Sequence, residues 1–352
     1  MTNATVYDTL RALFDWPAGP DTLVLSLYLD VARGREDAAL DFARQECDAL
    51  LEALAGKRHR LEPLLRAELD ALPAAIDRAR AEGYDGLAFF LSASPPLREL
   101  ARLRFSFDNA AELGRSPRPG QLLFFAEEYE ASVAVVAHEG SVRLVALEVG
   151  DVRGVHALRP SHGRSPAAEL NVELHRRLHE RPGLHVLFVG DPTARDPLEA
   201  GLDATIAARV IGRIDGPASP DDPEFLLAIH RVQQAHERRA EEAGVARLAP
   251  AREAGEPVAL GVAETLDAIN QGTLQKLFLL QDLPLKGWVC DGCDYLGTPP
   301  APPACVACGA SVSVVPLEEH IVAQAAACGA EIETVLESAT LGSYGGVAGL
   351  RR

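Results

Sequence analysis

The spacing of hydrophobic and polar positions changes several times along the chain. In DTLVLSLYLDV (21–31), Leu23, Leu25, Leu27, Leu29 and Val31 alternate with Val24, Ser26, Tyr28 and Asp30, which predicts a half-buried strand. Ahead of it, residues 1–20 read as a short helix and a loop. The next two stretches, roughly 36–55 and 61–82, predict amphipathic helices; in the first, Leu40, Ala43, Cys47, Leu50 and Leu54 recur at helical spacing. GLAFFLSAS (86–94) predicts a second strand, and the turn-rich SPRPG closes a first α/β segment near 118.

From 122 the chain reads as strand in LLFFAEEY, then as strand, turn at Glu139-Gly140 and strand through ASVAVVAHEGSVRLVALEVG. The loop SHGRSPAAEL, a helix and the strand LHVLFVGDP complete a mixed-sheet α/β segment. A helix over 223–244 is apolar at Phe225, Leu226, Ile229 and Val232 and then strongly charged, so its second half is expected to be a solvated face. RLAPAREAGEP (247–257) reads as a linker. A third α/β unit follows: helix VAETLDAINQG, strand TLQKLFLLQDL, a cysteine-rich insert, helix PLEEHIVAQAAACG, strand AEIETVLES and a short last strand in YGGVAGLRR. The expected fold is α/β in three domains, 1–118, 119–250 and 251–352, with no internal repeat.

Composition narrows the class of protein. At 352 residues, 47% apolar and 24% charged, the chain has the make-up of a multi-domain globular protein. No apolar run approaches the ~18 residues of a membrane span, and the N-terminus lacks a signal-peptide pattern, so a cytoplasmic protein without a membrane partner is expected. The net charge of −17 excludes a protein-wide attraction to nucleic acid, and any RNA contact must come from a local basic patch. Positive charge is nearly all arginine, with Lys57, Lys276 and Lys286 the lysines; codon usage explains this, or arginine's better fork for phosphate.

Four of the six cysteines fall in one window, as Cys290-x2-Cys293-x11-Cys305-x2-Cys308. Two CxxC knuckles, helped by Gly292 and Gly309, bring four thiolates to one point. That donor set suits a single structural Zn²⁺, closed to water and therefore not catalytic. Disulfides are disfavoured in a cytoplasmic chain. Cys47 and Cys328 lie at apolar helical positions and read as core thiols.

The last third carries a family resemblance. A GVAETLDAINQGTLQKLFLL helix–strand unit, a two-knuckle ribbon at 288–310, PLEEHIVAQAAACGAEIETVLES and then Gly345-Gly346-Val347-Ala348-Gly349-Leu350-Arg351 resemble domain 3 of archaeo-eukaryotic class I peptide release factors and pelota-type rescue factors. The resemblance covers 256–352 and, by element order, extends back to about 122. It implies an RNase H-like middle domain whose loop enters the peptidyl-transferase centre with a His-Gly-Arg-Gly-Gly-Gln tip. Here the loop spans 161–167: His162-Gly163-Arg164 matches, and Ser165-Pro166-Ala167 replaces Gly-Gly-Gln. Pro166 fixes φ and lacks an N–H, and no glutamine occurs between Gln121 and Gln233. His162 as a base or Ser165 as a nucleophile would lack an orienting partner, so no catalytic residue is assigned.

The first domain lacks the family's Asn-Ile-Lys-Ser and Tyr-x-Cys-x-x-x-Phe stop-codon motifs and resembles that of bacterial relatives, including the Balon-type hibernation factor. The resemblance implies a factor bound in the ribosomal A site, acting in hibernation or stress protection without ordinary peptidyl-tRNA hydrolysis. Arg159, His162, Gly163, Arg164, Arg176 and Arg177 would touch rRNA or P-site tRNA, and domain 3 a translational GTPase. The alternatives are a rescue factor with peptidyl-tRNA hydrolase activity through an altered loop, and a protein-interaction module that has left the ribosome.

Overall fold

A computed structural model describes residues 5–17, 22–54, 60–138, 140–159, 163–216, 219–220, 222–281 and 283–352, with backbone alone at Ala53, Leu54 and Pro223. The chain divides into two compact units. One comprises the described residues up to Phe124 together with Glu241–Arg352, and the other is Phe125–Ala240.

The first unit opens with α1 (Val6–Phe14), whose capping box pairs Thr5 with Asp8. β1 (Val24–Asp30), α2 (Glu36–Leu54), α3 (Leu61–Ala81), β2 (Gly86–Ala93), β3 (Pro96–Leu103) and β4 (Ala110–Gly114) follow. The sheet runs β3-β2-β1-β4, antiparallel throughout. Alternation predicted a half-buried β1, but all seven of its residues are buried, because the strand is central and both faces are covered. On one face Leu25, Leu27 and Leu29 share a core with Ala43, Cys47, Leu65 and Ile76. On the other, Tyr28 packs against Phe90 and Phe107, with ring centroids 5.7 and 5.1 Å away. Cys47 is a core thiol, pushed by burial to about 12.

At 122–129 the expected strand is a helix, α4 (Gly120–Glu128). The apolar run fits either period, but Leu122, Ala126 and Tyr129 bury at helical spacing and Leu123 N–H donates to Pro119 O at 2.8 Å.

The second unit holds β5 (Ser132–His138), β6 (Ser141–Glu148), β7 (Asp151–Ala157), α5 (Pro166–Glu180), β8 (His185–Gly190), α6 (Pro192–Ala200), α7 (Ala204–Ala207), β9 (Val210–Ile214) and most of α8 (Pro223–Ala246). Its sheet runs β7-β6-β5-β8-β9, with β5, β8 and β9 parallel and β6 antiparallel to both neighbours. Phe225 and Ile229 of α8 join Val145, Leu147 and Val189 in the core beneath it. The second half of α8 is not simply the solvated face expected from its charge. Gln233 is buried and donates to Glu130 O at 2.8 Å, Arg238 pairs with buried Glu128, and Glu241 is buried as well. Buried Glu241 accepts the Leu336 N–H at 3.4 Å, so the buried carboxylates here keep polar partners.

The chain then returns to the first unit. The expected linker at 247–257 contains a short helix, α9 (Leu248–Glu253), seated by buried Leu248. β10 (Val258–Leu260), α10 (Val262–Asn270), β11 (Leu274–Leu280), β12 (Lys286–Cys290), β13 (Leu296–Gly297), β14 (Val312–Pro316), α11 (Glu318–Ala327), β15 (Glu331–Val335), α12 (Ala339–Ser343) and β16 (Val347–Arg351) complete it. One sheet runs β10-β16-β11-β15, and a small ribbon runs β13-β12-β14. The turn into β16 needs its glycines: Gly345 and Gly346 have φ of 77° and 82°, and a Cβ on Gly346 would lie 2.5 Å from Leu283 Cδ1. No described helix is long and apolar enough to cross a membrane.

Candidate functional site

β7 leads out to Arg159, and α5 begins at Pro166. Pro160, Ser161 and His162 lie outside the described residues, so no position is assigned to the expected His162 contact. Gly163 follows at φ 84°. Ser165 is the N-cap of α5: its Oγ accepts the Ala168 N–H at 3.2 Å, and Pro166 takes the first helical position, where a missing N–H costs nothing. Asn171 fastens the new helix, donating to Gly201 O at 2.7 Å and accepting from Asp203 N–H at 3.0 Å. Ser165, Pro166 and Ala167 are therefore a helix start.

The nearby guanidinium groups are engaged with carboxylates of the same segment. Arg164 Nη1 lies 3.4 Å from Glu169 Oε2. Arg176 grips Glu173 through Nη2–Oε1 at 2.7 Å and Nε–Oε2 at 3.0 Å and also pairs with Glu180. Arg177 Nε reaches the same Glu173 Oε1 at 2.8 Å. Hydrogen bonding from Arg176, with Arg177 adding to it and burial opposing it, holds the Glu173 carboxyl down at about 2. Arg159 is exposed and, among the described residues, pairs with no carboxylate. It lines a cleft of about 350 Å³ with His156, Leu158, Glu169 and Glu173. An oxyanion entering here meets Arg159 directly, and must displace Glu169 or Glu173 to reach the others. Sequence reasoning did not weigh these carboxylates, although NVELHRRLHE places Glu173 three and four residues before Arg176 and Arg177.

The cysteine cluster is brought together by the ribbon. The Cys290 and Cys308 Sγ atoms are 3.4 Å apart, those of Cys293 and Cys305 3.8 Å, and all four lie within 4.8 Å of one another. No disulfide joins them. Tetrahedral zinc with sulfur ligands at ~2.3 Å requires sulfurs about 3.8 Å apart, so the four thiols fit that ion. Backbone N–H groups of Gly292 and Ala307 donate to Cys290 Sγ and Cys305 Sγ at 3.2 and 3.4 Å; burial nonetheless pushes the Cys290 thiol up, while Cys305 lies lowered at about 7. Gly292 is needed for space rather than for φ: a Cβ there would lie 2.8 Å from Ala310 Cβ and 3.4 Å from Cys308 Sγ. Gly309 has φ 78°. An ion held by all four sulfurs would cross-link the ribbon and leave no ligand position for substrate.

No family model and no curated protein sequence matches the chain. Among solved structures, an archaeal translation termination factor is 17% identical over 99% of this chain and 97% of its own, with a TM-score of 0.25. Pelota from Archaeoglobus fulgidus is 13% identical over 76% of this chain and 84% of its own, with a TM-score of 0.37. The C-terminal domain of a peptide chain release factor from Methanosarcina mazei is 22% identical over 38% of this chain and 97% of its own, with a TM-score of 0.29.

Proposed function

We propose that this chain is a ribosome-associated translation factor of release-factor type, which occupies the ribosomal A site in hibernation or stress protection and does not hydrolyse peptidyl-tRNA through its 161–167 loop. The observation that carries the reading is the Ser165 cap. A loop closed into a helix by Ser165 and Pro166 has neither the backbone freedom of two glycines nor a glutamine amide to place water at the ester. The strand order β7-β6-β5-β8-β9, with β6 alone running against the rest, supports an RNase H-like domain around that loop. The Gly345-Gly346 turn into β16 supports the domain-3 reading of the C-terminal part. Three functional domains, 1–118, 119–250 and 251–352, belong to this reading, as do cytoplasmic location, one structural zinc and a translational GTPase meeting the C-terminal domain.

Arg159 and Arg164 would meet rRNA or tRNA phosphate first, and Arg176 and Arg177 after exchanging Glu173 for it. Co-sedimentation with empty 70S ribosomes over a salt series tests this. Binding that weakens steeply with salt and on Arg159→Ala with Arg164→Ala is expected. Peptidyl-tRNA release on the same complexes, lost in that double variant, would replace the reading with the rescue enzyme. A specific observation favours a second reading: Arg164, Arg176 and Arg177 are all neutralised by carboxylates on an acidic chain. A protein that stays in the supernatant at low salt would establish that alternative, an interaction module working away from the ribosome.

A further inference from the structure

The segment after β4 is fastened to the C-terminal domain at two places. Arg115 Nη1 donates to the Asp291 carbonyl at 2.8 Å and lies 3.1 Å from Asp294 Oδ1. Both partners belong to the first cysteine knuckle. Three residues on, Arg118 Nη2 meets His320 Nε2 at 2.9 Å, and the Gly120 N–H donates to Glu319 Oε2 at 3.2 Å, both on α11. Arg115 is itself held from behind, since its carbonyl accepts from Thr22 Oγ1 at 2.7 Å and Gly114 pairs with Val24 across β4 and β1.

The atoms that Arg115 grips have their places because the knuckle is closed. Asp291 N–H donates to Ser311 O at 3.0 Å, and its carboxylate accepts the hydroxyls of Ser311 and Ser313 at 2.6 and 2.7 Å. Asp294, at φ 60°, donates its N–H to Cys290 O at 3.1 Å. The ribbon that frames these bonds has one two-residue strand and joins the neighbouring core through Val289 and Leu296, with Cys290 and Cys305 also buried. Four sulfurs crowded without an ion between them have no bond to keep the knuckle shut.

We propose that the cysteine knuckle is a metal-dependent lock on the N-terminal sheet: Arg115 holds β4 and residues 115–120 against the C-terminal domain while the four cysteines share an ion. The proposal rests on the zinc reading of the cluster. When the knuckle opens, the Asp291 carbonyl and the Asp294 carboxylate leave the position that Arg115 faces. Of the described contacts that tie the 115–120 segment to the C-terminal domain, those to α11 then remain.

Hydrogen exchange on the full-length chain, with zinc counted in the same samples, tests it. Chelator-stripped protein is expected to exchange about tenfold faster at 110–120 as well as in the ribbon, the loss that a part-exposed ion pair and one companion hydrogen bond imply. Arg115→Ala loaded with one zinc per chain is expected to exchange faster at 110–120 while the ribbon stays protected. Where stripping also releases β11 and β16, the loaded Arg115→Ala arm decides. Unchanged exchange at 110–120 in that loaded variant, or in stripped protein whose ribbon exchanges freely, overturns the lock and leaves the zinc reading standing. A reduced chain that takes up no zinc overturns both.

Discussion

Ser165 commits its hydroxyl to the Ala168 amide, so its loss is felt in folding rather than in chemistry. Ser165→Ala is expected to cost about 1 kcal/mol in urea unfolding of the 125–240 unit, with ribosome co-sedimentation unchanged. Glu173 is the opposite case, a residue whose removal should strengthen contact with phosphate. Its folded carboxyl lies at about 2, below the ordinary 4.5, so its pairing stabilises the fold above the higher value and is lost as pH falls towards the lower one. Glu173→Gln is therefore expected to remove an acid-induced loss of stability between those limits, read by thermal unfolding. It should also steepen the salt dependence of ribosome binding as Arg176 and Arg177 become available.

Helix α11 carries a carboxyl whose charge is costly to bury. Burial first, and then the Glu112 carboxylate, push Glu319 up to about 7, against Arg118 and the Gly120 N–H. Glu318 and Tyr28 also face this cluster, and His320 beside it is pulled to about 4 by burial and by Arg118. A carboxyl whose folded value is raised binds its proton more tightly in the folded state. Stability is thus full below about 4.5 and falls as pH rises through about 7, by on the order of 3 kcal/mol. Glu319→Gln should flatten that dependence and raise stability at pH 8, as checked by denaturant titrations from pH 4 to 8.

Legibility in the sequence followed the same physics. α2, α3 and α5 were readable because each repeats apolar positions at helical spacing, and β1, β2, β8 and β11 because each is a short, mostly apolar run of strand length, buried on both faces in β1 and β8. β3, β4 and β7 were not, because edge strands need only one partner and carry runs such as PLRELARL, whose charges hide the period. The 122–129 run was apolar in either period, and only its buried Leu122–Ala126–Tyr129 stripe selects the helix. The clustering of Cys290, Cys293, Cys305 and Cys308 was plain from spacing alone. The contact of Arg115 with Asp291 and Asp294 beside them was not, because nothing local links residues 176 and 179 positions apart.

Across the whole molecule, charge and metal act on different units. The −17 net charge opposes approach to RNA everywhere except where arginines are concentrated, whereas the cysteine cluster belongs entirely to the unit that excludes 125–240. Calorimetry should accordingly show two transitions. Zinc removal is expected to lower the one belonging to the unit that holds the ribbon and to leave the 125–240 transition in place; an equal shift in both would mean that the units do not unfold independently.

The discontinuity of the first unit also sets a schedule. Arg115 and Asp294 are separated by 179 residues, so at roughly 5–20 residues per second the ribosome delivers the second about 9–36 s after the first. During that wait β4 and the segment behind it have emerged without the surface that will cover them, while the contiguous 125–240 unit has everything it needs to fold. The nascent β4 and the segment behind it thus wait for a partner made much later, and the arrival of the cysteine knuckle ends that wait.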